Sequence, residues 1–153
     1  MIPPTLPGMP KRARLKQPAL AGFTAPMRTD PTVQHRDGVF VIHIPGVRLV
    51  NATNEHTHWR VRSKRAKAQR GLASMVLRSI CATPPPPPLT ITITRHAPSN
   101  GLDSDSLPPS GKHLRDGIAD FLGVDDGSAS LTWLYCQERG PWGVTIQIEA
   151  RAA

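Results

Sequence analysis

The chain reads as a small α/β (α+β) domain: a mixed sheet of about four strands with helices packed on it, in the order βαβαββ. Three observations predict this. Runs with the two-residue period of a half-buried strand occur at VFVIHIPG, LTITITR, LTWLYCQE and WGVTIQIEA. Between the first two lies WRVRSKRAKAQRGLASMVLRSI, and between the second and third KHLRDGIADFLG, both with apolar residues at helical spacing. Strands alternating with helices form a layered domain, because each element has one apolar face to bury.

A chain of 153 residues fits one domain with a real core, but 39% apolar content is low, so part of it is read as tail. Met1 to about Arg36 is rich in Pro and basic residues and has no periodicity. Residues 1–36 are therefore expected to be a disordered basic tail and residues 37–153 the folded domain. Lys11, Arg12, Arg14 and Lys16 in that tail either touch phosphates or are simply solvated. The two cysteines, Cys81 and Cys136, are too few for a disulfide framework or a zinc site. They read as small buried hydrophobes in a reducing, cytoplasmic protein. No apolar run approaches a membrane span, and MIPPTLPGMPKRAR lacks the apolar stretch of a signal peptide, so no membrane association is expected.

In order, the first strand starts at Val39, puts Phe40, Ile42 and Ile44 on one face, and stops at Pro45 and Gly46. A loop follows in which His56 and His58 form an HxH pair without further ligands, and Asn51, Asn54 and Trp59 are candidates for nucleic-acid contact. Trp59 is expected chiefly to anchor the helix that it begins. That helix carries six basic residues between Arg60 and Arg70, namely Arg60, Arg62, Lys64, Arg65, Lys67 and Arg70, and no acid. A merely soluble helix would intersperse Glu or Asp for i,i+4 pairs, so the pattern favours contact with phosphates, DNA being the expected ligand. Pro84 to Pro88 form a stiff connector to LTITITR, whose Leu89, Ile91 and Ile93 face one side and Thr90, Thr92 and Thr94 the other. Arg95 and His96 end that strand close to the acidic segment, as phosphate ligands or as ordinary strand-end residues. The last two strands read as a hairpin around Arg139, Gly140 and Pro141, with Trp133 and Tyr135 packing on the core or on a second subunit.

The stretch GLDSDSLPPSGKHLRDGIADFLGVDDG gathers six of the eleven acidic residues of a chain whose formal charge is +8. Asp103 and Asp105 lie two apart in a Ser- and Pro-rich segment read as extended, where residues i and i+2 point the same way. Two carboxylates facing one spot repel unless a cation lies between them. A short amphipathic helix over Lys112 to Leu122, with Ser110 to cap its start and Gly123 its end, returns the chain to Asp125 and Asp126. Hard oxygen ligands in such a cluster suit Mg²⁺ or Mn²⁺ better than zinc. Asp116 and Asp120 read as surface residues, and Lys112 with Asp116 forms a possible i,i+4 ion pair.

The arrangement LDSDSL, then KHLRDGIADFLG, then VDDG resembles the RusA family of Holliday junction resolvases, particularly its phage and prophage members. The resemblance covers Val39 to Glu149, most closely from the acidic segment onward. It implies that Asp103, Asp105 and Asp126 hold a catalytic Mg²⁺, that Asp125 supports them, and that Lys112 is the family's catalytic lysine. Ser106 stands where the family has Asn, and Pro108 and Pro109 where its helix begins. The implied activity is metal-dependent phosphodiester hydrolysis by a homodimer resolving four-way DNA junctions in recombination and repair, with Lys112 or Arg115 stabilising the transition state. A less specific phage nuclease and a catalytically weakened, structure-selective DNA-binding protein are the alternatives.

Overall fold

The computed structural model describes residues 30–51 and 55–152. Lys11, Arg12, Arg14, Lys16 and Asn54 lie outside them. The described chain runs β1 (Thr32–Arg36), β2 (Val39–Pro45), α1 (Trp59–Ile80), β3 (Leu89–Ala97), α2 (Leu107–Ser110), α3 (Lys112–Leu122), β4 (Leu131–Arg139) and β5 (Gly143–Ala150). The expected mixed sheet with packed helices is formed. It has five strands in the order β1-β2-β5-β3-β4.

The additional strand, β1, occupies the end of the segment read as tail. It pairs with β2 across a two-residue turn, Arg36 opposite Val39, with Asp37 at φ 52° and Gly38 at φ 79°. Positive φ at both central residues is what a tight hairpin of the right twist requires, and Asp-Gly is among the pairs that supply it.

The C-terminal strands do not form the expected hairpin. β4 pairs in parallel with β3, while β5 lies antiparallel between β2 and β3. Burial explains the order. Val144, Ile146 and Ile148 of β5 are at most 2% exposed, as suits a central strand, whereas the second half of β4 is exposed, as suits an edge. The connection passes the end of β3, where the Gly140 N–H donates to the Ala97 carbonyl at 3.0 Å.

One face of the sheet carries the core. Ile42, Ile44, Leu89, Ile91, Ile93, Val144, Ile146 and Ile148 meet Ala73, Val76 and Leu77 of α1 and Leu114, Ile118, Phe121 and Leu122 of α3. Gly117 lets the two helices touch, since a Cβ there would stand 3.0 Å from the Ala73 Cβ and closer still to the Arg70 carbonyl oxygen. Gln69 of α1 is buried and donates to the Arg48 carbonyl at 3.1 Å, which ties the helix to the loop segment that follows β2. Gly123 ends α3 at φ 66° as expected. Ser110 does not cap it; its hydroxyl donates to the Leu107 carbonyl at 2.6 Å and Gly111 takes the cap position.

Candidate functional site

The carboxylates disperse rather than converge. The Asp103 carbonyl accepts from the N–H groups of Ser106 at 2.9 Å and Leu107 at 3.0 Å, so the segment is wound into a turn and not extended. Residues two apart in a helical turn do not face each other, and both side chains are exposed. Ser106 accepts from Asn51 Nδ2 at 2.8 Å. Asp126 is taken by Arg115, whose Nε lies 3.0 Å from Oδ2 as an ion pair without hydrogen-bond alignment. The Asp126 carbonyl also accepts from Arg115 Nη2 at 2.6 Å and from Trp133 Nε1 at 2.9 Å, and the Arg115 guanidinium stands 5.0 Å from the Trp133 ring. Asp125 accepts from the Gly127 N–H at 2.8 Å. Lys112 Nζ lies 3.4 Å from Asp116 Oδ2, the exposed i,i+4 pair. Among the described residues no group of three or more His, Cys, Asp and Glu side chains could hold a metal ion. As arranged, Asp103, Asp105, Asp125 and Asp126 do not fit Mg²⁺ or Mn²⁺.

The basic helix is the stronger feature. At about 100° per residue, Arg60, Lys64, Lys67 and Arg78 fall on one line along α1, opposite the buried Gln69, Ala73 and Val76. The line is about 27 Å long at 1.5 Å per residue. All four side chains are exposed, and none has an ion-pair partner among the described residues. Two of the six predicted residues are spoken for. Arg65 meets Glu55 at 2.6 Å and Arg70 makes two hydrogen bonds to Asp120, at 2.6 and 2.8 Å. These contacts lower the Glu55 and Asp120 carboxyls below the usual carboxylate range and raise Arg70. Arg62 is exposed beside Glu55 and adds to its lowering. Arg78, not singled out from the sequence because it lies among apolar residues, extends the line; its Nε donates to Ser74 at 3.2 Å.

Trp59 does not anchor α1 in the core. It is 61% exposed, with Arg60 5.4 Å from its ring, at the N-terminal end of the cationic line. Met75, 63% exposed, lies beside the other end in an open groove of about 550 Å³ with Lys67, Ser74 and Arg78. His58 serves the helix itself, accepting from the Arg60 N–H at 3.3 Å. Trp133 and Tyr135 pack against the core, one of the two expected outcomes.

Fold and site together define a two-layer α+β domain that presents one cationic helix. No family model matches the chain. It is 38% identical over 78 residues to a protein of Xylella fastidiosa (strain Temecula1) described as uncharacterized, a match covering 48% of this chain and 51% of that one. The chain thus spans about half the length of the curated relative it matches. Solved structures similar to it include the periplasmic domain of Helicobacter pylori MotB, at TM-score 0.43 and 10% identity over 80% of this chain and 83% of that one. Another is the cell wall anchor of the T6SS from Pseudomonas aeruginosa, at TM-score 0.40 and 12% identity over 79% and 88%. A third is the OmpA-like domain of FopA1 from Francisella tularensis, at TM-score 0.34 and 10% identity over 78% and 79%.

These findings correct the resemblance to RusA resolvases. No family model supports it, and among the described residues the aspartates it required do not come together. The Mg²⁺-dependent endonuclease activity, the four-way junction as partner and the nuclease-derived alternatives fall with it. The cytoplasmic placement read from two cysteines is not borne out, since nothing in the fold assigns the chain to that compartment. Cys81 and Cys136 are free, Cys81 partly buried and Cys136 exposed, so only the first approaches the expected burial. No helix among the described residues is long and apolar enough to cross a membrane.

Proposed function

We infer that the domain is a binding module for a linear polyanion, held along the exposed line of α1. The observation that carries this is the set Arg60, Lys64, Lys67 and Arg78, aligned opposite the buried face of a helix with no acidic residue. A helix needs no such alignment to stay soluble, and like charges at i,i+4 spacing repel by a few tenths of a kcal/mol per pair. An extended ligand with regularly spaced phosphates or carboxylates relieves that repulsion at several points and releases its own counterions as it binds. Trp59 and Met75, exposed near the two ends, offer apolar contact beside the charges.

The test is a neutralising pair, Lys64→Gln with Lys67→Gln, against a control pair, Arg36→Gln with Arg151→Gln, that removes the same charge from exposed residues elsewhere. Affinity for inorganic polyphosphate and for polyglutamate, measured by fluorescence anisotropy at fixed salt, should fall several-fold more for the first pair. Equal losses would reduce the effect to net charge and overturn the assignment to α1.

A further inference from the structure

We propose that a second site, at the C-terminal ends of the parallel strands β3 and β4, binds a single small oxyanion through the buried guanidinium of Arg95. Arg95 is 4% exposed, yet its only hydrogen bond among the described residues runs from Nε to the Leu49 carbonyl, at 2.8 Å. The Trp142 ring, 5.4 Å away, is its other partner, and no carboxylate pairs with it. Arg48 approaches the same ring at 5.3 Å and brings a second positive charge, not a neutralising one. The side chain is almost wholly buried, its two Nη groups make no hydrogen bond to the described protein and keep only a narrow opening to solvent, and burial pushes the guanidinium below its ordinary range.

The space next to it is built for a polar ligand. Arg95 lines a cavity of about 250 Å³ together with Ser99, Asn100, Gln137 and Arg139. Two hydrogen bonds hold its wall: Leu102 N–H donates to Gln137 Oε1 at 2.8 Å, and Gln137 Nε2 donates to the Leu102 carbonyl at 2.7 Å. Gly101 lies so close to this clamp that a Cβ would stand 2.8 Å from Gln137 Nε2. One acid, Glu138, also lines the cavity, but it alternates with Gln137 along β4, its side chain is 69% exposed, and it lies 3.6 Å from His96 Nδ1. Open parallel α/β sheets accept ligands beyond the carboxyl ends of their strands, and β3 and β4 are the parallel pair of this otherwise antiparallel sheet. The planar fork of an arginine matches phosphate and carboxylate oxygens alike, so the shared chemistry is an oxyanion presenting two oxygens.

The experiment titrates the full chain, freed of oxyanions, with inorganic phosphate and separately with malonate, against NaCl at equal ionic strength. Expected is a saturable rise in Tm of a few degrees at about a hundred times Kd. Saturation by one anion and not the other assigns phosphate or carboxylate as the ligand group. Arg95→Met should abolish the rise. Arg139→Gln, at an exposed position, should weaken binding with the fold intact. In the wild-type protein the Arg95 Nε–Hε resonance should move with the same Kd, a readout that does not need the variant to fold. A rise no larger than with NaCl, one that persists in Arg95→Met, or an unmoved Arg95 resonance overturns the proposal.

Discussion

The contact between α1 and α3 passes through one residue, so Gly117→Ala has a large and calculable effect. The added Cβ would lie 3.0 Å from the Ala73 Cβ and the Arg70 carbonyl carbon, and closer to the Arg70 oxygen. Backbone cannot rotate away as a side chain can, so the helices must part by on the order of 1 Å, which thins the contacts around Leu114 and Ile118. Overpacking of this kind costs about 1–3 kcal/mol, and a backbone clash belongs at the upper end. Replacing a mid-helix Gly by Ala returns about 1 kcal/mol. The net loss is about 2 kcal/mol, or a Tm lower by about 4–8 °C for a domain of this size. Gly71 is the control: it is also mid-helix, but a Cβ there meets nothing within 4 Å. Gly71→Ala should therefore stabilise by about 1 kcal/mol. Urea unfolding of both variants checks the pair. Shifts of the same sign would refute the close approach of α3 to α1.

Ile146 has no exposed surface at the centre of β5, so Ile146→Ala should cost about 2–5 kcal/mol in the same unfolding assay. The His96 imidazole is held below its ordinary range by burial and then by the charge of His43, with Glu138 opposing. Its folded pKa is the lower one, so the unfolded chain takes up the proton first and stability falls as pH drops below about 6.5, levelling once the folded histidine is protonated too. His96→Gln should flatten the Tm profile over that interval. Millimolar MgCl₂ or MnCl₂ should change Tm no more than NaCl of equal ionic strength; a saturable rise abolished by Asp126→Asn would show the carboxylates gathering after all.

Periodicity made β2, β3, β5 and both long helices legible, because each buries one face at its own period. β1 was obscured by the Pro-rich, basic composition around it, although Asp37-Gly38 marked its turn. The pairing of β4 and β5 was not legible: short connections favour hairpins, and only the tertiary sheet shows that β5, apolar at every second residue, belongs in the middle. The acidic segment misled because an i,i+2 pair shares a direction only in extended chain. The Asp103 carbonyl instead starts a turn, and Arg115, read as a transition-state stabiliser, is the partner of Asp126. The cationic helix was legible from charge alone, but which of its residues are free was not. The partners of Arg65 and Arg70 are Glu55 and Asp120, the latter 50 positions along the chain.

The salt dependence of polyphosphate binding tests the central reading most directly. If the line on α1 holds the polymer, log K should fall linearly with log salt, and Lys64→Gln with Lys67→Gln should flatten that slope by somewhat less than one per contact removed, about 1.5 in all. Arg36→Gln with Arg151→Gln should leave the slope unchanged. A slope that flattens equally in both pairs, or in neither, would contradict the assignment of α1 as the binding surface.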